Sequence, residues 1–179
     1  MLNAKTLGRF RSDERGLAAL EFAIIAPFMV MLYMGLAELT LAMMAERRAS
    51  HAASVVGDLV TQSSQMNTAT ITDIFNVGDA VLRPFPTATL KMRVTSVKAD
   101  AAAVPKVVWS RGDGMTALGA ATTASAVPAN LLLAGDSVVM TEVSYTWTSP
   151  LQEVVPLPRT FSQTYFFKPR KSPEVAWMG

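Results

Sequence analysis

The sequence contains no cysteine and a single histidine, His51. Without thiols there are no disulfides, no thiolate metal sites and no cysteine nucleophile. One histidine rules out a three-histidine zinc centre and argues against a Ser-His-Asp arrangement. Charge is scarce as well, at 17% of 179 residues, against an apolar share of 50% and a mean hydropathy of +0.28. Phosphate-binding glycine motifs, H-E-x-x-H, EF-hand loops and N-x-[ST] sequons are all missing. No cofactor and no metal is expected, and the composition leans away from an enzyme. The length suits one ordinary domain with an added segment.

What is abundant is local. Leu17 to Ala45 forms a 29-residue run in which only Glu21 and Glu38 are charged. About 20 apolar residues in a helix cross a bilayer core, so residues 17–45 are expected to form a transmembrane helix. The run is roughly twice the apolar length of a cleavable secretory signal, about 7–15 residues. Residues 1–16 set Lys5, Arg9, Arg11 and Arg15 against Asp13 and Glu14, and so hold the entire formal net charge of +2. The positive-inside bias makes 1–16 a basic cytoplasmic leader and delivers the rest across the membrane, despite Arg47 and Arg48 beyond the run. Pro27 removes one helical hydrogen bond and should bend the span. Gly35 and Ala37 offer a thin place for another helix. A carboxylate at Glu21, five residues into the run, costs roughly 2.5–3.5 kcal/mol on insertion scales and needs a partner or a purpose. Glu38, near the outer end, is expected to snorkel to water.

The junction reads Arg15-Gly16-Leu17-Ala18-Ala19-Leu20-Glu21-Phe22. It resembles the processing site of type IV prepilins, which a membrane aspartyl peptidase cuts after the glycine. The resemblance implies a cut between Gly16 and Leu17. Such a cut would leave an α-amine of pKa about 7.7–8.0 at the head of an apolar helix, where Glu21 of the same or a neighbouring subunit could neutralise it. The order Gly16, Glu21-Phe22, Pro27, Gly35, Glu38 is similar to the N-terminus of TadE-like proteins, the pseudopilins of the tight-adherence (Tad, Flp) pilus system. The related TadG proteins usually carry a far larger domain, and the major pilins are much shorter. The resemblance implies a minor pseudopilin of the inner membrane, with its C-terminal domain periplasmic. Its implied partners are the bilayer, a prepilin peptidase, other pseudopilins and the Tad inner-membrane assembly platform. Gly16 and Leu17 would form the cleavage site, Glu21 and Phe22 the helix-pairing contact, and Pro27 the kink.

Outside the span, Met44, Ala52, Val55, Val56, Leu59 and Val60 recur at helical spacing, so residues 46–64 are expected to continue the helix outward, with Gly57 a weak point of roughly 1 kcal/mol. Residues 65–179 are expected to form an extracytoplasmic α+β domain, pilin-like in order: a short helix from Thr70 to Pro84, capped through Thr70 and Asp73, and a mainly antiparallel sheet of about four strands. The strand signals lie near 90–95, 107–109, 139–147 and 161–167. Arg111-Gly112-Asp113-Gly114 reads as a turn, 114–130 as an irregular lobe, and Lys168-Pro169-Arg170-Lys171 as the start of a solvated tail without nucleic-acid binding. Trp109, Tyr145, Trp147, Tyr165 and Phe167 have the periodicity of a sheet core. Two other classes remain open: an uncleaved, single-pass anchored binding module, and an anchored enzyme using Asp113, Asp136 or Glu142, whose spacing supports no specific pair.

Overall fold

A computed structural model describes residues 15–150 and 158–179. The leader up to Glu14, and with it Lys5, Arg9, Arg11 and Asp13, lies outside the described residues, as does Pro156. Helix α1, Arg15–Thr61, is one continuous element of 47 residues, about 70 Å at 1.5 Å per residue. Its alanine, leucine and methionine content favours helix throughout, and it runs on through Pro27. A short strand β1, Gln65–Met66, leads to helix α2, Thr68–Leu82. The sheet strands are β2, Leu90–Ala99; β3, Pro105–Asp113; β4, Ser137–Trp147; and β5, Arg159–Phe167. The last element is β6, Ala176–Trp177. The four-stranded sheet has order β3-β2-β4-β5 with every neighbour antiparallel, and β1 pairs with β6 in parallel. The class is α+β.

The sheet lays one face on the outer half of α1. That face is made by Leu90, Met92 and Val94 of β2 and by Val139, Val143, Tyr145 and Trp147 of β4. They meet a stripe of α1, Ala45, Ala49, Ala53, Val56 and Val60, at the spacing of one helix face. Ala52 and Gly57 are buried beside it. At Gly57 the chains come so close that an added Cβ would overlap the Phe167 ring and lie 2.7 Å from Thr141 Oγ1. Gly57 is therefore a point of close approach, where sequence reasoning saw only a loss of helix propensity. Thr141 is fully buried, and its hydroxyl is without a hydrogen-bond partner among the described residues.

Three local expectations change. The cap of α2 is Asn67, whose Oδ1 accepts from Thr70 N at 2.8 Å, in place of Thr70 with Asp73. Along α2 the core side is Ile71, Ile74, Phe75, Gly78 and Leu82, while Val77 is exposed. Strand β3 does not stop at Arg111: Arg111 and Gly112 pair with Val94 and Arg93, and the left-handed turn comes at Gly114, φ +67°. The stretch between β3 and β4 is irregular, as expected, yet Ala124, Val127 and Leu132 from it are buried against Val97, Val107, Val138 and Met140 on the sheet's other face.

The tail is the largest departure. Instead of a solvated end, residues 168–178 fold back over the distal end of the domain. Arg170 N donates to Thr61 O at 3.0 Å while its guanidinium pairs with Asp58 at 2.5 Å. Val175 is fully buried and its carbonyl accepts from Trp109 Nε1 at 2.7 Å. Ala176 N and Met178 N donate to the carbonyls of Ser64 and Met66.

Two substitutions at the tight contact should move stability in opposite directions. Gly57→Val forces atoms into occupied space and is expected to cost about 1–3 kcal/mol. Thr141→Val removes only the unpartnered hydroxyl and is expected to raise the melting temperature, since such a buried group costs about 1–3 kcal/mol. Thermal unfolding of the detergent-extracted chain checks both, and a stabilised Gly57→Val would refute the close-approach account.

Candidate functional site: the head and shoulder of the long helix

The residues that sequence analysis put at the processing site lie at the head of α1. Arg15 is the first helical residue, so the Gly16–Leu17 bond sits in the first turn. There the leading N–H groups lack intrahelical acceptors and the helix opens most cheaply. Gly16 is exposed, with nothing within 4 Å of an added Cβ. Leu17 and Phe22 are 61% and 73% exposed, and Glu21 and Pro27 are exposed as well. Among the described residues, none of these five is brought against another part of the chain.

From Gly16 to Tyr33 the helix is bare on all sides save for a partial cover at Ala26, about 27 Å of rod. An 18-residue stretch of α1 has mean hydropathy 2.0 and no buried residue. By length and composition, α1 can cross a membrane. Cover by the folded domain begins at Met34 and reaches full burial of one side chain at Glu38.

Glu38 marks that shoulder, and here the expectation of snorkelling fails. It is 0% exposed, and Ser149 Oγ, just past β4, donates to its Oε1 at 2.6 Å. A charge-assisted hydrogen bond to a carboxylate is among the stronger polar contacts, and burial makes it costly to leave unmade. The second glutamate thus ties the shaft to the end of the domain nearest the bare rod. Sequence reasoning missed Ser149 because it lies 111 positions away.

A second tie holds α2 to the shaft. Arg48 Nη1 donates to Val81 O at 3.3 Å and to Arg83 O at 2.5 Å, capping the last turn of α2 with a cation where the helix dipole favours one. On the far side of the sheet, Arg93 grips Glu142 through two hydrogen bonds, 2.6 and 2.8 Å, which hold the guanidinium charged and raise its pKa. Asp79 is also raised, by burial first and then by Asp113 nearby, with Arg83 opposing. Arg111 lies 3.9 Å from the Trp177 ring centre, so its side chain is engaged in packing, while Gly112 and Asp113 are exposed. Trp109, Tyr145 and Trp147 are buried in the core rather than offered as a platform, and His51 is exposed on α1. Among the described residues no cluster of three or more His, Asp or Glu side chains is placed to hold a metal.

Residues 16–58 match the family described as TadE-like protein. The match covers α1 almost to its end and bears out the family recognition on Gly16, Glu21-Phe22, Pro27, Gly35 and Glu38. No curated protein and no solved structure matches the chain.

The Glu38 contact is checked by comparing Glu38→Ala with Glu38→Gln. The alanine variant is expected to lose about 1–3 kcal/mol, a fall of several degrees in melting temperature. The glutamine variant keeps an acceptor and should lose less than half of that. Equal, negligible shifts for both would show that the contact contributes nothing.

Proposed function

From the TadE-like segment at residues 16–58 as premise, we propose that this chain is a minor pseudopilin of a Tad-type pilus system. It is cut after Gly16 and assembled through the bare part of α1. The family match points to a pilus-related, structural role, and the division of α1 supports the finer reading. Its first half is an uncovered apolar rod, and its second half is the spine of a folded domain. That division is the single observation that carries the proposal. An enzyme's anchor or a binding module's tether needs to cross the membrane. It does not need a carboxylate at the fifth position after a glycine, where ionised Glu21 is costly without a partner. The new α-amine of Leu17 supplies one.

In this reading the chain sits in the inner membrane, with 1–16 cytoplasmic and the sheet domain periplasmic. A prepilin peptidase meets Gly16 and Leu17 at the frayed head of the helix. Glu21 then pairs with the Leu17 amine of its own or a neighbouring chain, and Phe22 packs beside it. The pairing fixes how far one helix is displaced along another, because a lone buried cation or carboxylate is strongly disfavoured. The assembly platform and other pseudopilins are the partners, and the chain itself performs no chemistry.

The N-terminal residue of the membrane-extracted protein tests this directly, with and without the candidate peptidase. A start at Leu17 that depends on the peptidase is expected. A start at residue 1 or 2 in both strains would leave a plain anchored protein and move the search to the sheet domain. Glu21→Ala should still be cut yet impair pilus formation. Normal piliation by that variant would end the pairing role.

A further inference from the structure

The domain does not surround α1 evenly. One side of the outer helix is filled by the sheet, and a second by α2, held there by Arg48. A third side, level with the start of β5, is open among the described residues. There Leu39, Ala42, Met43 and Glu46 of α1 and Arg159 and Phe161 of β5 line a groove of about 310 Å³. Strand β5 is a sheet edge, paired only with β4. Leu39 and Met43 are 54% and 46% exposed, large apolar side chains at the level where the domain begins. Glu46 and Arg159 carry opposite charges at the groove, and neither is in an ion pair among the described residues.

We propose that this groove is where a second copy of the chain docks, side by side in the same membrane. The groove carries one charge of each sign around an apolar floor, so its best complement is itself. A two-fold axis along the membrane normal keeps both helices spanning in the same direction. It sets Leu39 and Met43 against their equivalents and brings Glu46 of each copy toward Arg159 of the other, as an isologous contact requires. Such a contact is continuous with the bare shaft. On a helix of 3.6 residues per turn Phe28, Leu32, Gly35, Leu39 and Glu46 fall within about 60° of one another. Gly35 and Ala42, both small, let two backbones approach on that line. The inference adds a closed, level dimer contact beside the displaced Glu21 pairing of the assembly reading. It rests on α1 being a membrane anchor and does not require leader cleavage.

The absence of native cysteine makes disulfide trapping unambiguous. Met43→Cys and Met44→Cys are matched probes, 46% and 44% exposed, at one depth and about 100° apart around the helix. In oxidised membranes holding the full chain, Met43→Cys is expected to give a disulfide-linked dimer several-fold more readily than Met44→Cys. Arg159→Glu should reduce it to the Met44→Cys level, and Glu46→Arg added to Arg159→Glu should restore it. Equal trapping at both positions would mean random collision and overturn the proposal, as would failure of the charge exchange to restore it. Met44→Cys linking to itself more readily than Met43→Cys would also overturn it. The N-terminal residue is read on the same samples. A dimer on a chain starting at residue 1 or 2 keeps the groove and removes the cleavage, whereas a start at Leu17 without a dimer does the reverse.

Discussion

Everything in this structure depends on how closely one face of α1 lets the sheet approach. The stripe from Ala45 through Ala49, Ala52, Ala53 and Gly57 is built of small residues, and the sheet answers with large ones, Tyr145, Trp147, Met92 and Phe167. Large against small is what allows a helix and a sheet to interdigitate at interior density. A larger side chain at Gly57 would collide at once with Phe167 and Thr141, from two different strands. The buried Thr141 hydroxyl shows the cost of that closeness, since the position beneath it has no room for a polar partner.

The same helix carries two kinds of surface, and the changeover is chemical as well as geometric. Through Tyr33 its side chains face outward on all sides, in keeping with lipid, and past Glu38 they alternate between core and exterior. The carboxylate at the changeover is not left exposed; it is buried against Ser149. A buried, hydrogen-bonded carboxylate resists sliding in either direction, because leaving its site means losing a strong contact. The domain is thereby held at a set height on its rod. Arg48, at the next level, does the same for α2 by capping it.

At the opposite end the fold is closed by the chain's last residues. The Arg170–Asp58 pair, the Val175 carbonyl accepting from Trp109, and the parallel β1–β6 bridge tie the C-terminus to the end of α1 and to the loop before α2. The exposed Arg170–Asp58 pair contributes little energy by itself. The buried Val175 and the tryptophan hydrogen bond contribute more, since each satisfies or hides a group that would otherwise be left against the core.

The sequence by itself determined what depends on near neighbours in the chain. The uninterrupted apolar run, the basic leader, the glycine-glutamate junction and the alternation of Met92, Val94, Val139, Val143 and Tyr145 can all be read from the sequence, and with them a helix long and apolar enough to cross a membrane, the resemblance carried by residues 16–58 and the α+β class. The cap of α2 is legible too: Asn67 is a good cap residue three positions before Thr70 and a stronger signal than the Thr70-Asp73 pattern. Only the tertiary structure decided the contacts between distant positions. Gly57 looked like a weakness because propensity counts a residue's own backbone and ignores what packs on it. Glu38 looked solvent-bound because Ser149, more than a hundred residues on, leaves no trace in local pattern. The C-terminal basic stretch looked like a free end because charge density predicts solvation, whereas its carbonyls and amides are taken up by groups that folding alone brings near. Helical and strand periodicities report which way a side chain faces. What it then meets depends on how the elements are arranged in space, and no local pattern encodes that.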